Sequence, residues 1–214
     1  YASTNANAPF DAETLVKSGL DSLLISLDGA SQQTYNQYRI NGNFDKVVAN
    51  VQAIVEAKKK LASATPILHI QFIVMRHNEH EVKAIYDLAK KLQVDKLTYK
   101  TVQIYTDEDM KFLPENSAYR RYSLKENQFR LKNGIQNRCY RLWFQPVINQ
   151  DGTVSPCCFD KDADFAMGNL ANQSLAEIWQ SEKMMRFRKQ ILQNRSQIPM
   201  CLNCGEGVKL NIRQ

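Results

Sequence analysis

Apolar residues along the first hundred positions recur in two periods, one of two residues and one of about 3.6. Ser22-Leu23-Leu24-Ile25-Ser26-Leu27 reads as a strand that ends in the turn Asp28-Gly29-Ala30. From Ile67 to Met75 the alternation is clean: Leu68, Ile70, Phe72 and Val74 share one side, while Ile67 and Ile73 flank His69 and Gln71 on the other. A further strand runs from about Lys96 to Ile104. Between these strands the period lengthens. Asn43 opens a helix in which Phe44, Val47, Val48, Val51, Ile54 and Val55 bury one face, and Asn78 and Glu81 are spaced like a capping box before Val82, Ile85, Leu88 and Leu92. Ahead of the first strand, Asp11 caps a short helix with Leu15 and Val16 that Gly19 stops.

Strands separated by helices imply right-handed crossovers and a parallel sheet. Three strands are too few to close a barrel, and the first would leave a largely apolar edge unpaired, which native sheets cover. Further strands are therefore expected on its N-terminal side, and the start at Tyr1 rather than Met is read the same way, as a chain taken from inside a longer product. Residues 106–137 carry few periodic apolar positions and read as a linker with a helical piece around Tyr119 to Phe129. From Arg138 the texture changes. Trp143 to Asn149 reads as a strand, Gln150-Asp151-Gly152 as a tight turn and Thr153-Val154-Ser155 as the return strand, and Ser174 caps a helix bearing Leu175, Ile178, Trp179, Met184, Met185 and Phe187. The expected organisation is thus residues 1–105, a linker over 106–137, and a second region over 138–214.

Composition changes this picture little. With 214 residues, 43% hydrophobic and 23% charged, the chain is an ordinary globular one with room for one domain and something smaller. The net charge of +6 is spread out, and its densest run, Lys58-Lys59-Lys60, falls at an expected helix end where cations complement the dipole. No aromatic residues interleave with those lysines, so nothing points to nucleic acid. No apolar run approaches the ~18 residues that span a bilayer, which excludes a membrane-spanning helix and makes the cytoplasm the simplest expected location.

The candidate chemistry is in the cysteines. There are five, none before Cys139, and an odd number clustered in the last third makes a poor disulfide framework. The hairpin over residues 143–155 brings Cys139, before its first strand, near Cys157 or Cys158, just after its second. Cys201 and Cys204 form a second, local pair whose two intervening residues let both sulfurs face one centre. Four thiolates suit tetrahedral zinc or an iron–sulfur cluster, and spacing does not separate the two.

Cys139, then twelve residues to Gly152, then four residues to Cys157, and later Cys201-Leu202-Asn203-Cys204, resembles the SPASM domain, the C-terminal extension of many radical S-adenosylmethionine (radical SAM) enzymes. The run Asn149 to Cys158, Met167-Gly168-Asn169-Leu170, and Ser174-Leu175 with Ile178-Trp179 resemble it too, so the likeness covers about residues 138–207. In that family such cysteines ligate an auxiliary [4Fe–4S] cluster. The resemblance implies one cluster here, held by Cys139, Cys157, Cys201 and Cys204, with Cys158 a spare beside it.

The front half agrees. Leu24-Ile25-Ser26-Leu27-Asp28-Gly29, followed by Thr34-Tyr35, Tyr38-Arg39, Gly42 and Phe44-Asp45, resembles the fourth strand and following helix of the radical SAM barrel, and Thr4-Asn5 the end of its third strand. The resemblance implies that Ser26, Asp28, Thr4 and Arg39 serve S-adenosylmethionine, with Ser26 on the ribose; His77 is expected to be a loop residue. The implied fold is α/β: a partial (β/α) radical SAM barrel, C-terminal strands only, followed by a small α+β SPASM-like domain with a β-hairpin and a cysteine-ligated cluster. The implied activity is hydrogen abstraction by a 5′-deoxyadenosyl radical from a peptide, protein or small-molecule substrate. Such chemistry needs a first cluster on a CxxxCxxC motif, and no cysteine precedes Cys139. The chain is therefore expected to be inactive alone, with the N-terminal barrel portion missing. The rival expectation is a non-catalytic zinc-binding or peptide-interaction module.

Overall fold

In the computed structural model, which describes residues 1–125, 128–132, 134–202 and 204, the chain forms two compact units that divide after Arg121. The first begins with β1 (Ala2–Thr4), α1 (Ala12–Lys17) and β2 (Ser22–Ser26). It continues with α2 (Gln32–Tyr35), α3 (Phe44–Lys60), β3 (Ile67–Val74), α4 (Val82–Lys91) and β4 (Lys96–Thr101). The four strands lie in chain order and pair parallel, with Leu24 opposite His69 and His69 opposite Lys96.

Leu68, Ile70, Phe72 and Val74 of β3 are fully buried against α3 and α4 residues Val47, Val51, Ile54 and Ile85, which is the alternation read from the sequence. Asn43 caps α3 by accepting from the Lys46 N–H at 2.8 Å, and Asp11 caps α1 through Thr14. At the far end of α3, Lys58 pairs with Asp95 at 2.8 Å and Lys60 with Glu13. These cations anchor the helix end to its neighbours as well as complementing its dipole.

The edge of Ser22–Ser26 is covered from the N-terminal side, as expected: β1, ending at Thr4 where the resemblance put a strand end, pairs with it from Ala2↔Leu23 to Thr4↔Ile25. One expectation for this unit is corrected. Asn78 and Glu81 form no capping box at α4. Asn78 is fully buried, accepting from the Met75 N–H at 2.6 Å and donating to the carbonyls of Asp28 at 3.0 Å and Ile73 at 2.9 Å. Glu81 accepts from the Ala30 N–H at 2.8 Å and the Ser31 hydroxyl at 2.9 Å. Both side chains therefore clip the C-terminal end of β2 to that of β3.

Gly29 sits inside this clip. A Cβ there would lie 2.5 Å from the Tyr35 nitrogen and 2.6 Å from its Cα, and neither backbone atom can swing aside. Gly29→Ala is expected to lower stability by about 1–3 kcal/mol, at the upper end of that overpacking range, as read from the urea midpoint at unchanged slope. A midpoint equal to wild type would contradict this packing.

After two 3₁₀ segments, Asp107–Phe112 and Ser117–Tyr119, the second unit opens with an antiparallel hairpin, β5 (Tyr122–Lys125) and β6 (Gln128–Leu131). The helical piece expected around Tyr119 to Phe129 is replaced by this hairpin. Next come α5 (Arg141–Phe144), β7 (Val147–Ile148), β8 (Thr153–Ser155) and β9 (Gly168–Asn169), the last three forming an antiparallel sheet. Only Val147–Ile148 of the expected Trp143–Asn149 strand is extended; the residues before Pro146 make a helical turn that buries Leu142. The turn at Gly152 is as expected, with φ +81° and the Asn149 N–H donating to the Thr153 carbonyl at 2.9 Å.

The unit ends with α6 (Leu175–Gln180), α7 (Glu182–Asn194), a 3₁₀ turn (Arg195–Gln197) and α8 (Pro199–Leu202). Ser174 and Glu177 form a capping box on α6, and Ser181 then breaks what the sequence suggested was one helix and caps α7. Met184, Phe187 and Ile191 of α7 join Leu142, Val154, Ile178, Ile198 and Cys201 in the core of this unit. Arg188, on the same stripe, is buried between Trp143 and Trp179, its Cζ 4.8 and 4.6 Å from their ring centres, and donates to the Trp179 carbonyl at 2.9 Å. Residues 205–214 of the region expected over 138–214 lie outside the described residues. No helix among the described residues is long and apolar enough to cross a membrane.

Candidate functional site

The elements just described gather the cysteines. Cys139 precedes α5, Cys157 follows β8, Cys201 lies in α8, and Cys204 comes just after it, its N–H donating to the Cys201 carbonyl at 3.1 Å. Cys139, Cys157, Cys201 and Cys204 line one cavity, together with Leu142, Phe159, Phe187 and Ile191 and the two arginines Arg141 and Arg195. All five cysteines are free thiols. Cys158 does not line the cavity; it is exposed, and Arg141 Nη1 approaches its sulfur at 3.6 Å.

Two of the cavity thiols are held toward the neutral form. The hydrogen bond to Cys158, together with burial, pushes the Cys157 thiol far above the usual thiol range. Burial likewise pushes Cys201 up, against the pull of the Arg195 guanidinium. Among the described residues no three His, Cys, Asp or Glu side chains are grouped so as to hold a metal ion. The donor set around the cavity is nevertheless all sulfur, which fits a soft, thiophilic metal centre and not a magnesium or calcium site.

In the first unit the residues assigned to S-adenosylmethionine lie at the C-terminal ends of parallel strands, where α/β folds bind ligands. Thr4 ends β1, and its hydroxyl accepts from the Ala6 N–H at 3.0 Å. Ser26 ends β2, half-buried, and among the described residues its hydroxyl makes no hydrogen bond. Asp28 is fully buried with both oxygens committed: Oδ1 accepts from the Ile73 N–H at 2.8 Å, and Oδ2 accepts from Arg39 Nε at 2.8 Å and Nη2 at 2.5 Å. Its geometry is that of a residue that positions Arg39 and locks β2 to β3. Burial raises its carboxyl above the usual range, against the opposing pulls of Arg39 and the Ile73 N–H. His77 lies edge-on to Phe112 with ring centres 6.0 Å apart.

Three groups at these sites were not singled out from the sequence. Asn78 and Glu81 were read as a local cap, and Arg195 was not read at all. For Arg195 the signal was present: with Met184, Phe187 and Ile191 it continues the buried stripe of α7 into the next turn, so a cation falls where the pattern calls for an apolar residue.

Residues 139–205 match SPASM, an iron–sulfur cluster-binding domain. A stretch of 60 residues is 33% identical to the S-adenosyl-L-methionine-dependent 2-deoxy-scyllo-inosamine dehydrogenase of Niallia circulans, and spans 28% of this chain and 24% of that protein. Among solved structures, Streptococcus suis SuiB bound to S-adenosylmethionine is similar over 95% of this chain and 52% of its own, with a TM-score of 0.62 and 14% identity. The native anSMEcpe with bound AdoMet and Kp18Cys peptide is similar over 99% of this chain and 69% of its own, with a TM-score of 0.59 and 16% identity. At these identities the structural likeness is one of fold.

Proposed function

We propose that this chain, a SPASM domain joined to a partial barrel with the fold of radical SAM enzymes, is the C-terminal portion of such an enzyme and carries one auxiliary [4Fe–4S] cluster. The observation that supports the reading most is the convergence of Cys139, Cys157, Cys201 and Cys204 on one cavity inside the segment that matches SPASM. Four cysteine ligands complete the cluster's coordination, which leaves it to relay electrons or hold the fold rather than ligate substrate.

S-adenosylmethionine, when bound in the complete protein, supplies the 5′-deoxyadenosyl radical that abstracts hydrogen. This chain's part is to hold it. Ser26 offers a hydroxyl free to bond a ribose, Arg39 a guanidinium fixed by Asp28, and Thr4 a hydroxyl at the adjacent strand end. The substrate is a peptide, a protein or a small metabolite. SuiB has been solved with a precursor peptide, anSMEcpe with the Kp18Cys peptide, and the Niallia relative is named for an inosamine. With no cysteine before Cys139, the first cluster's ligands must come from a barrel portion that this chain does not contain, so the chain alone is expected to be inactive.

Anaerobic reconstitution with iron and sulfide tests the reading. A brown protein with about four irons and matching sulfide per chain is expected. One zinc per chain with no bound sulfide would overturn it in favour of a structural zinc module. For the catalytic half, a reading frame extending upstream with three cysteines spaced CxxxCxxC is expected, and an upstream frame without them would remove it.

A further inference from the structure

Two arginines line the cysteine cavity, the half-buried Arg141 and the buried Arg195. Arg195 lines it beside all four candidate ligands and is 8% exposed. Its Nη1 donates to the carbonyl of Arg138 at 2.8 Å and reaches that of Gln136 at 3.5 Å. Its backbone N–H donates to Asn137 Oδ1 at 3.0 Å, and Asn137 in turn donates to the Gln193 carbonyl at 2.7 Å. These bonds fix the guanidinium without neutralising it. Among the described residues no carboxylate forms an ion pair with Arg195, and its Nε is buried with no hydrogen-bond partner.

A buried cation is strongly disfavoured unless an anion meets it or aromatic faces do, as the two indoles meet Arg188, and among the described residues no such rings flank Arg195. The side chains that share the cavity with Arg195 include the sulfurs of Cys139, Cys157, Cys201 and Cys204, and among the described residues no carboxylate lines it. Thiols do not supply the missing anion, whereas thiolates around a metal centre do. Arginine suits the position because its planar fork can serve backbone carbonyls and a sulfur at once.

We propose that Arg195 is the built-in counter-charge of the metal centre held by Cys139, Cys157, Cys201 and Cys204, and that it raises that centre's reduction potential. The inference rests on the cluster reading given above. Adding an electron to a thiolate-ligated cluster adds negative charge, so a fixed cation and a hydrogen bond to sulfur both favour the reduced form.

The test is a redox titration of the reconstituted full chain, followed by electron paramagnetic resonance, with iron and sulfide measured on each sample. R195Q keeps amide donors for the carbonyls and removes the charge. It is expected to retain wild-type iron while the reduced-to-oxidised ratio at a given potential falls about tenfold, ~59 mV more negative for one electron. R195K, which keeps the charge, is expected to recover at least half of that shift. Should R195Q fail to load, R195K decides: a potential near wild type supports the role, and one lowered by the full tenfold equivalent overturns it. Wild-type iron and an unchanged potential in R195Q would overturn the inference and leave the cluster reading standing, as would loss of metal in both variants, which would assign Arg195 to folding. A wild-type chain that takes up no iron and sulfide would overturn both.

Discussion

Replacing any one of Cys139, Cys157, Cys201 and Cys204 by serine is expected to reduce cluster iron from about four per chain to near none, whereas Cys158→Ser keeps it. The physical difference is between sulfur and oxygen. A serine hydroxyl holds its proton far more tightly than a thiol and is a hard donor, so it does not replace a thiolate on a soft centre. The four residues come from a loop, a strand exit, a helix and the turn after it, yet they face one cavity, while Cys158 turns outward toward Arg141. The contrast between neighbours is the sharpest part of the prediction. If Cys158→Ser bled iron and Cys157→Ser kept it, the ligand assignment would be reversed.

Asp28→Ala is expected to destabilise the first unit by about 3 kcal/mol, measured by urea denaturation. That is the low end of the ~3–5 kcal/mol for breaking a buried ion pair, because the Arg39 side chain keeps 28% of its exposure and recovers some hydration. The substitution removes the acceptor for both the Ile73 N–H and the guanidinium, so β2 and β3 lose a link at the end that carries Ser26. Asp28→Asn keeps an oxygen for Ile73 and is expected to cost less. It also isolates the charge. Because burial raises the Asp28 carboxyl, the folded chain takes up a proton there at a higher pH than the unfolded chain does. As pH falls from neutral toward the ordinary value of 3.8, wild type therefore gains stability relative to Asp28→Asn, and below that value the difference levels off. A gap that narrows on acidification would contradict this account of the site.

What could be read in advance follows the range of the interactions. The alternation of Leu68, Ile70, Phe72 and Val74 and the stripe from Val47 to Val55 each report burial within one element, and those elements form as expected. That Cys139, Cys157, Cys201 and Cys204 line one cavity was legible for a different reason: thiols are few, and a turn such as Gly152 states that the chain doubles back. Asn78 misled because its spacing to Glu81 mimics a local cap, while its actual partner, the Asp28 carbonyl, is 50 residues away. Backbone ties of that length leave no period in the sequence. The hairpin from Tyr122 to Leu131 and the turn at Arg141–Phe144 were misread because four-residue elements hold too few apolar positions to separate a period of two from one of 3.6.

The stacking of Arg188 between Trp143 and Trp179 has a practical corollary. These are the only two indoles in the chain, and both lie in the second unit, so intrinsic emission excited at the red edge of the absorption band reports on that unit alone. Far-ultraviolet dichroism sums over the helices of both units, so comparing the two signals in a single titration resolves whether the second unit melts apart from the first when metal is withdrawn.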